Sequence, residues 1–151
     1  MRTKLIRISW SDPLPIDDVI ATIDNNCIGL YYITCRANRE NAKEKSLYLG
    51  ESTSSIKSRL KDHKGWVHGY SRSEIFVRIG KIDYPNENIE EAIKHAERAL
   101  IFEHGQCGTR VLFENTASTK SYIYTDIYKI INEGNRFELK CEVDMNLHED
   151  A

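Results

Sequence analysis

Residue Glu97 stands where a simple surface carboxylate should not. Around it Ile89, Ala92, Ile93, Ala96, Leu100 and Ile101 recur at helical spacing. Glu97 lies four residues after Ile93 and four before Ile101, so it points along the apolar stripe of that helix. A lone carboxylate there is costly unless something pairs with it. Two readings fit: an edge residue paired with an arginine, or a metal-binding or catalytic group. Arg59 and His63 are also four apart, on one flank of a second helix, beside Ile56 and Leu60. A fixed cation next to a titratable imidazole suits an anionic phosphate, although a solvated helix face has the same pattern. Tyr31 and Tyr48 lie on two strands of a predicted hairpin. Such a pair is ordinary cross-strand packing, or one hydroxyl moves a proton.

The elements that must carry these residues can be read from periodicity. Residues 4–10 alternate and predict a strand. Pro15 is expected in the first turn of a short helix holding Ile16, Val19, Ile20 and Ile23. Residues 28–34 are rich in β-branched and aromatic types and predict a strand. A polar loop over 36–45 leads to a second strand at 47–50, with Leu47 and Leu49 facing away from Tyr48. Thr53 or Ser54 is expected to cap a helix reaching about His63. Residues 74–82 alternate as a third strand, and 89–104 form a long amphipathic helix closed by Gly105. Residues 111–113 are a short apolar run. Residues 126–132 and 136–143 predict two strands around the turn Gly134-Asn135. The expected fold is α+β, a small mixed or antiparallel sheet flanked by helices. The chain reads as one compact domain: an N-terminal extension over 1–28, a core over 29–118 and a C-terminal extension with an acidic tail over 119–151.

With 151 residues the chain fits one hydrophobic core. Apolar residues are 40 % and charged residues 29 %, as in an ordinary globular protein. Apolar runs are too short for a bilayer span, and residues 1–10 lack the pattern of a secretory signal. The expectation is a cytoplasmic protein with no membrane partner. Cys27, Cys35, Cys107 and Cys141 have no C-x-x-C spacing and are read as reduced thiols. Net charge is −2, which argues against a nucleic-acid partner. The charge is uneven, however. Lys57, Arg59, Lys61, Lys64 and Arg72 face only Asp62 in the stretch 56–72. Such a patch can hold a phosphate backbone, since charges farther off than about 8 Å are screened in physiological salt.

The order of these signals carries more than any one of them. Gly29-Leu30-Tyr31-Tyr32-Ile33, then Tyr48-Leu49-Gly50-Glu51-Ser52, then Arg59-Leu60-Lys61-Asp62-His63 resembles the GIY-YIG nuclease family. Glu97-Arg98-Ala99-Leu100-Ile101 and the later Asn115 extend the resemblance, which covers residues 29–115. Leu30 and Leu49 stand where the family usually has isoleucine. The linker between Tyr31 and Tyr48 is longer than usual in the family, and the polar loop absorbs the excess.

The resemblance implies a GIY-YIG-like fold and hydrolysis of DNA to 5′-phosphate and 3′-hydroxyl ends, with one Mg²⁺ or Mn²⁺. By analogy Glu97 binds the metal, a hard cation that takes one or two carboxylates plus waters and phosphate oxygens. Tyr31 would be the general base or position the attacking water, provided a nearby cation lowers its hydroxyl. Arg59 would stabilise charge at phosphorus. Tyr48 and His63 would orient water and phosphate or assist proton transfer, and Asn115 would hold the site together. Lys57, Lys61, Lys64 and Arg72 are the expected DNA-binding residues. A homodimer or a partner protein would supply specificity. The competing readings keep the same fold: a catalytically inactive module that binds nucleic acid, or a subunit that works only with a partner.

Overall fold

The computed structural model describes residues 3–67, 73–83, 88–104 and 127–144. They form a mixed α+β fold. The strands are β1 (Thr3–Trp10), β2 (Leu14–Pro15), β3 (Gly29–Ala37), β4 (Lys45–Ser52), β5 (Ser73–Asp83), β6 (Ile127–Gly134) and β7 (Glu142–Asp144). The helices are α1 (Ile16–Thr22), α2 (Ile56–Val67) and α3 (Ile89–His104). The strands make one sheet in the order β4-β3-β5-β1-β6-β7, with β2 added to β5. Only the β1–β6 pair is parallel. The N-terminal strand thus lies inside the sheet, between β5 and β6.

Burial explains the two strand patterns. In β1, Ile6, Ile8 and Trp10 are buried while Leu5, Arg7 and Ser9 are exposed, so one face is covered. In β3 the first seven residues are all buried, because helices lie on both faces. On one face α1 and α2 pack Ile16, Val19, Ile56 and Leu60 against Tyr31, Ile33 and Val77. On the other, α3 packs Ala92, Ile93, Ala96, Ala99 and Leu100 against Leu30, Tyr32, Leu49, Ile6 and Ile8. Helix α3 leans chiefly on β4, the terminal strand, and also touches β3 and β7.

Three local expectations are corrected. Leu47 packs on the same side as Tyr48, not opposite it. The register changes from Ile33↔Tyr48 to Thr34↔Ser46, so Leu47 is the extra residue of a β-bulge and the alternation slips there. The cap of α2 is Ser55, whose Oγ accepts from the Ser58 N–H at 3.2 Å, not Thr53 or Ser54. The helix also continues past His63 to Val67. Finally, residues 136–141 are not strand. Leu139 is fully buried in the core, Phe137 packs against it, and Phe137 takes a φ of 50°. Filling the core there breaks the alternation that a strand would need. The expected Gly105 closure and the 111–113 run lie outside the described residues. Cys27, Cys35 and Cys141 carry thiols rather than disulfides, and Cys107 lies outside the described residues.

Candidate active site at the β4 edge

Two glycines shape the floor. Gly50 lies directly opposite Tyr31 across the β3–β4 ladder. A Cβ on Gly50 would overlap the Tyr31 ring, so the ring lies flat over bare backbone. Gly29 has φ +139°, and its own Cβ would meet the Gly80 carbonyl oxygen at 2.5 Å. Tyr48 is the diagonal neighbour of Tyr31, and the two rings stack with centroids 6.1 Å apart at 17°. The bulge at Leu47 sets which face Tyr48 presents.

Helix α2 supplies the imidazole. Ser52 Oγ, at the end of β4, accepts from the backbone N–H groups of Ser54 and Ser55. The Ile56 N–H donates to the Cys27 carbonyl at 2.9 Å. These bonds start the helix at a set place, so His63, about two turns on, reaches the tyrosines. Its ring centroid is 4.6 Å from Tyr48 and 5.5 Å from Tyr31. The Tyr31 hydroxyl and His63 Nε2 are 2.8 Å apart.

Burial, and then the neighbouring Tyr48, push the Tyr31 hydroxyl above its ordinary value of 10, and Arg59 does not outweigh them. This reverses the expectation that a cation lowers it. Burial and then Arg59 lower His63 from 6.5, so the imidazole is neutral at neutral pH. With His63 neutral, the direction of this bond follows the imidazole tautomer, and with the ring proton on Nδ1 the Nε2 lone pair is open to the Tyr31 proton. Tyr48 is also pushed up, by burial and then by Glu97.

Glu97 comes from α3, on the opposite face of the sheet, and meets the cluster where the sheet ends at β4. Burial pushes its carboxyl up to about 7; Glu51 adds to this, while Arg59 and Arg98 offset part of it. The apolar stripe thus holds a carboxylate with incomplete compensation, rather than a simple edge residue. Glu51 is the participant that pattern reading missed. It sits one residue after Gly50, and its Oε2 is buried without a hydrogen-bond partner. In sequence it is one acidic residue at a strand end, and only pairing beside α3 distinguishes it. Two carboxylates that feel each other's charge, one with an orphaned oxygen, are hard donors that fit a Mg²⁺-type cation. Among the described residues no group of three or more His, Cys, Asp or Glu gathers.

The structure thus brings Tyr31, Tyr48, Arg59, His63 and Glu97 into one electrostatic cluster. Lys57 and Lys61 leave α2 on the other flank of its buried stripe from Arg59 and His63, as helix geometry requires. The side chains of Lys64 and Arg72, and all of Asn115, lie outside the described residues. No helix among the described residues is long and apolar enough to cross a membrane. No family model, curated protein or solved structure matches this chain.

Proposed function

We propose that the chain is a metal-dependent endonuclease with a GIY-YIG-like core, hydrolysing DNA phosphodiester bonds to 5′-phosphate and 3′-hydroxyl ends. The observation that carries this reading is the convergence on one sheet edge of a Tyr–His hydrogen bond, an arginine and a half-buried carboxylate from three different elements, β3, α2 and α3. The order of motifs along the chain supports it independently.

The residues divide the work as follows. A water enters beside the Tyr31 hydroxyl and gives that oxygen a proton as Tyr31 passes its own to His63 Nε2. The net result is a hydroxide at the phosphate and an imidazolium at His63. A neutral His63 is in the right state to receive that proton. The hydroxide forms the new P–O bond, the P–O3′ bond breaks, and the 3′-oxygen takes a proton from solvent. Arg59 offsets charge on the phosphate oxygens as it builds. Tyr48, stacked on Tyr31 and tilted on His63, keeps both rings in place. Glu97 would hold the cation, whose contribution when bound is to neutralise the phosphate and the departing oxygen. Lys57 and Lys61 contact neighbouring phosphates along the duplex.

Supercoiled plasmid incubated with wild type or Glu97→Ala, in Mg²⁺, Mn²⁺ or EDTA, tests the proposal. The expected result is nicking or linearisation that requires metal and disappears in Glu97→Ala. Cutting that persists in EDTA would remove the metal. No cutting of plasmid, branched or single-stranded DNA with either metal would remove the nuclease.

A further inference from the structure

The orphaned oxygen of Glu51 needs a partner. In β4, Glu51 pairs with Leu30 and shares the face of Leu49, both of which line the core beneath α3. That is the face from which Glu97 comes. The backbone on either side of Glu51 is fixed, by Gly50 packed under Tyr31 and by Ser52 capping the turn into α2. The carboxylate is therefore positioned rather than adrift. Yet its Oε2 is sealed from water and accepts no hydrogen bond. A carboxylate oxygen in that state is destabilising unless a donor or a cation meets it. Arg59 is exposed and engaged first with Tyr31; it feels the charge of Glu51 but does not hydrogen-bond its Oε2. Glu44, another half-buried carboxylate, shows the contrast: its Oε2 accepts from both Arg78 and Thr34 at 2.5 Å.

We infer that Glu51 is the second protein ligand of the divalent cation, which is held between one carboxylate from β4 and one from α3. This rests on the nuclease reading only for the presence of a cation at Glu97. Its consequence is that the metal site is built by the docking of α3 on β4, with one ligand from each. A cation bound there meets the orphaned oxygen and separates two like charges.

Titration calorimetry with Mn²⁺ on the full chain tests it, using wild type, Glu51→Gln, Glu51→Asp and Glu97→Gln, with circular dichroism to verify folding. Wild type should bind one Mn²⁺, and Glu51→Gln should weaken binding by about tenfold or more, since affinity follows ligand charge count. Glu51→Asp keeps the charge and should recover part of the loss, which a merely structural role would not produce. Wild-type affinity in Glu51→Gln, or no Mn²⁺ binding by wild type, overturns the inference. The same samples are assayed on plasmid. Binding that needs both carboxylates without cleavage leaves the inference standing and removes the nuclease. Cleavage with unaltered Mn²⁺ affinity in Glu51→Gln does the reverse. If Glu51→Gln fails to fold, Glu51→Ala decides: an affinity equal to wild type overturns the inference.

Discussion

Adjacent tyrosines on β3 open onto two polar clusters of opposite character. Tyr32 faces the α3 side. Its hydroxyl donates to Ser46 Oγ, which donates to Glu138 at 2.7 Å. Beside it Arg78, only 2 % exposed, donates to Glu44, Thr34 and Asn135 and lies over the rings of Tyr32 and Phe137. Arg78 and Glu44 are paired there, and Glu138 accepts from the Ser46 hydroxyl. Tyr31 faces the α2 side and bonds a neutral histidine, while on the α3 side Glu51 adds to the rise of the Glu97 carboxyl. One cluster uses charge to tie the loop at 44 and the turn at 135–138 to the sheet. The other leaves the Glu97 carboxyl only partly compensated, the kind of perturbed group that gathers at functional sites. A buried polar residue is thus informative chiefly through what its neighbours leave unsatisfied.

The largest expected effect separates the clusters by stability. Arg78→Met strips Glu44 of its partner and should cost about 3 kcal/mol in urea unfolding, as breaking a buried pair does. DNA cleavage per folded molecule should be unchanged. A neutral Arg78→Met would mean the closed cluster is decoration, and the comparison would break.

The two tyrosines sharpen it next. Tyr31→Phe should lower the cleavage rate by about a hundredfold, the usual scale of a lost proton-transfer group, while leaving stability near wild type. Tyr32→Phe should reverse the pattern: about 1 kcal/mol of stability lost with cleavage intact. If both variants lose activity equally, the faces do not divide function as proposed.

Glu97→Gln tests the stored charge. The folded chain holds the Glu97 proton to about pH 7, while the unfolded chain releases it near 4.5. Between those values the native state binds more protons, so stability falls as pH rises through the window, and the full cost stands above 7. Glu97→Gln should therefore be more stable than wild type by about 2 kcal/mol near pH 8, with no difference near pH 4. Denaturant melts at both values check it, and a destabilised variant at the higher pH would refute it.

The smallest effect is a shift in titration. Burial is the larger cause of the raised Glu97 carboxyl, and Glu51 is the next. In metal-free Glu51→Gln the Glu97 midpoint should fall below about 7, as followed by carboxyl NMR, and stay above the ordinary 4.5. An unmoved midpoint would mean the two carboxylates do not interact.

What the sequence determined by itself is whatever a local period can encode. The span of α3 is readable from its apolar stripe, and β1 and β5 to within a residue at each end from their alternation, because burial of one face writes a period of 3.6 or 2 into neighbouring positions. Glu97 was visible for the same reason, as a charge that breaks its stripe. Tyr31, Tyr48, Arg59 and His63 were visible as motifs in order. The tertiary structure alone decided what depends on pairing across long distances. Nothing local tells that Arg78, which alternates correctly in β5, turns inward to meet Glu44 from a polar loop. The bulge at Leu47 follows from the register with β3, and the loss of strand at 136–141 follows from Leu139 filling the core. Glu51 and the raised Tyr31 hydroxyl belong to the same class. An orphaned oxygen or a shifted proton is a property of the surroundings, and the surroundings exist only once β4, α2 and α3 have met.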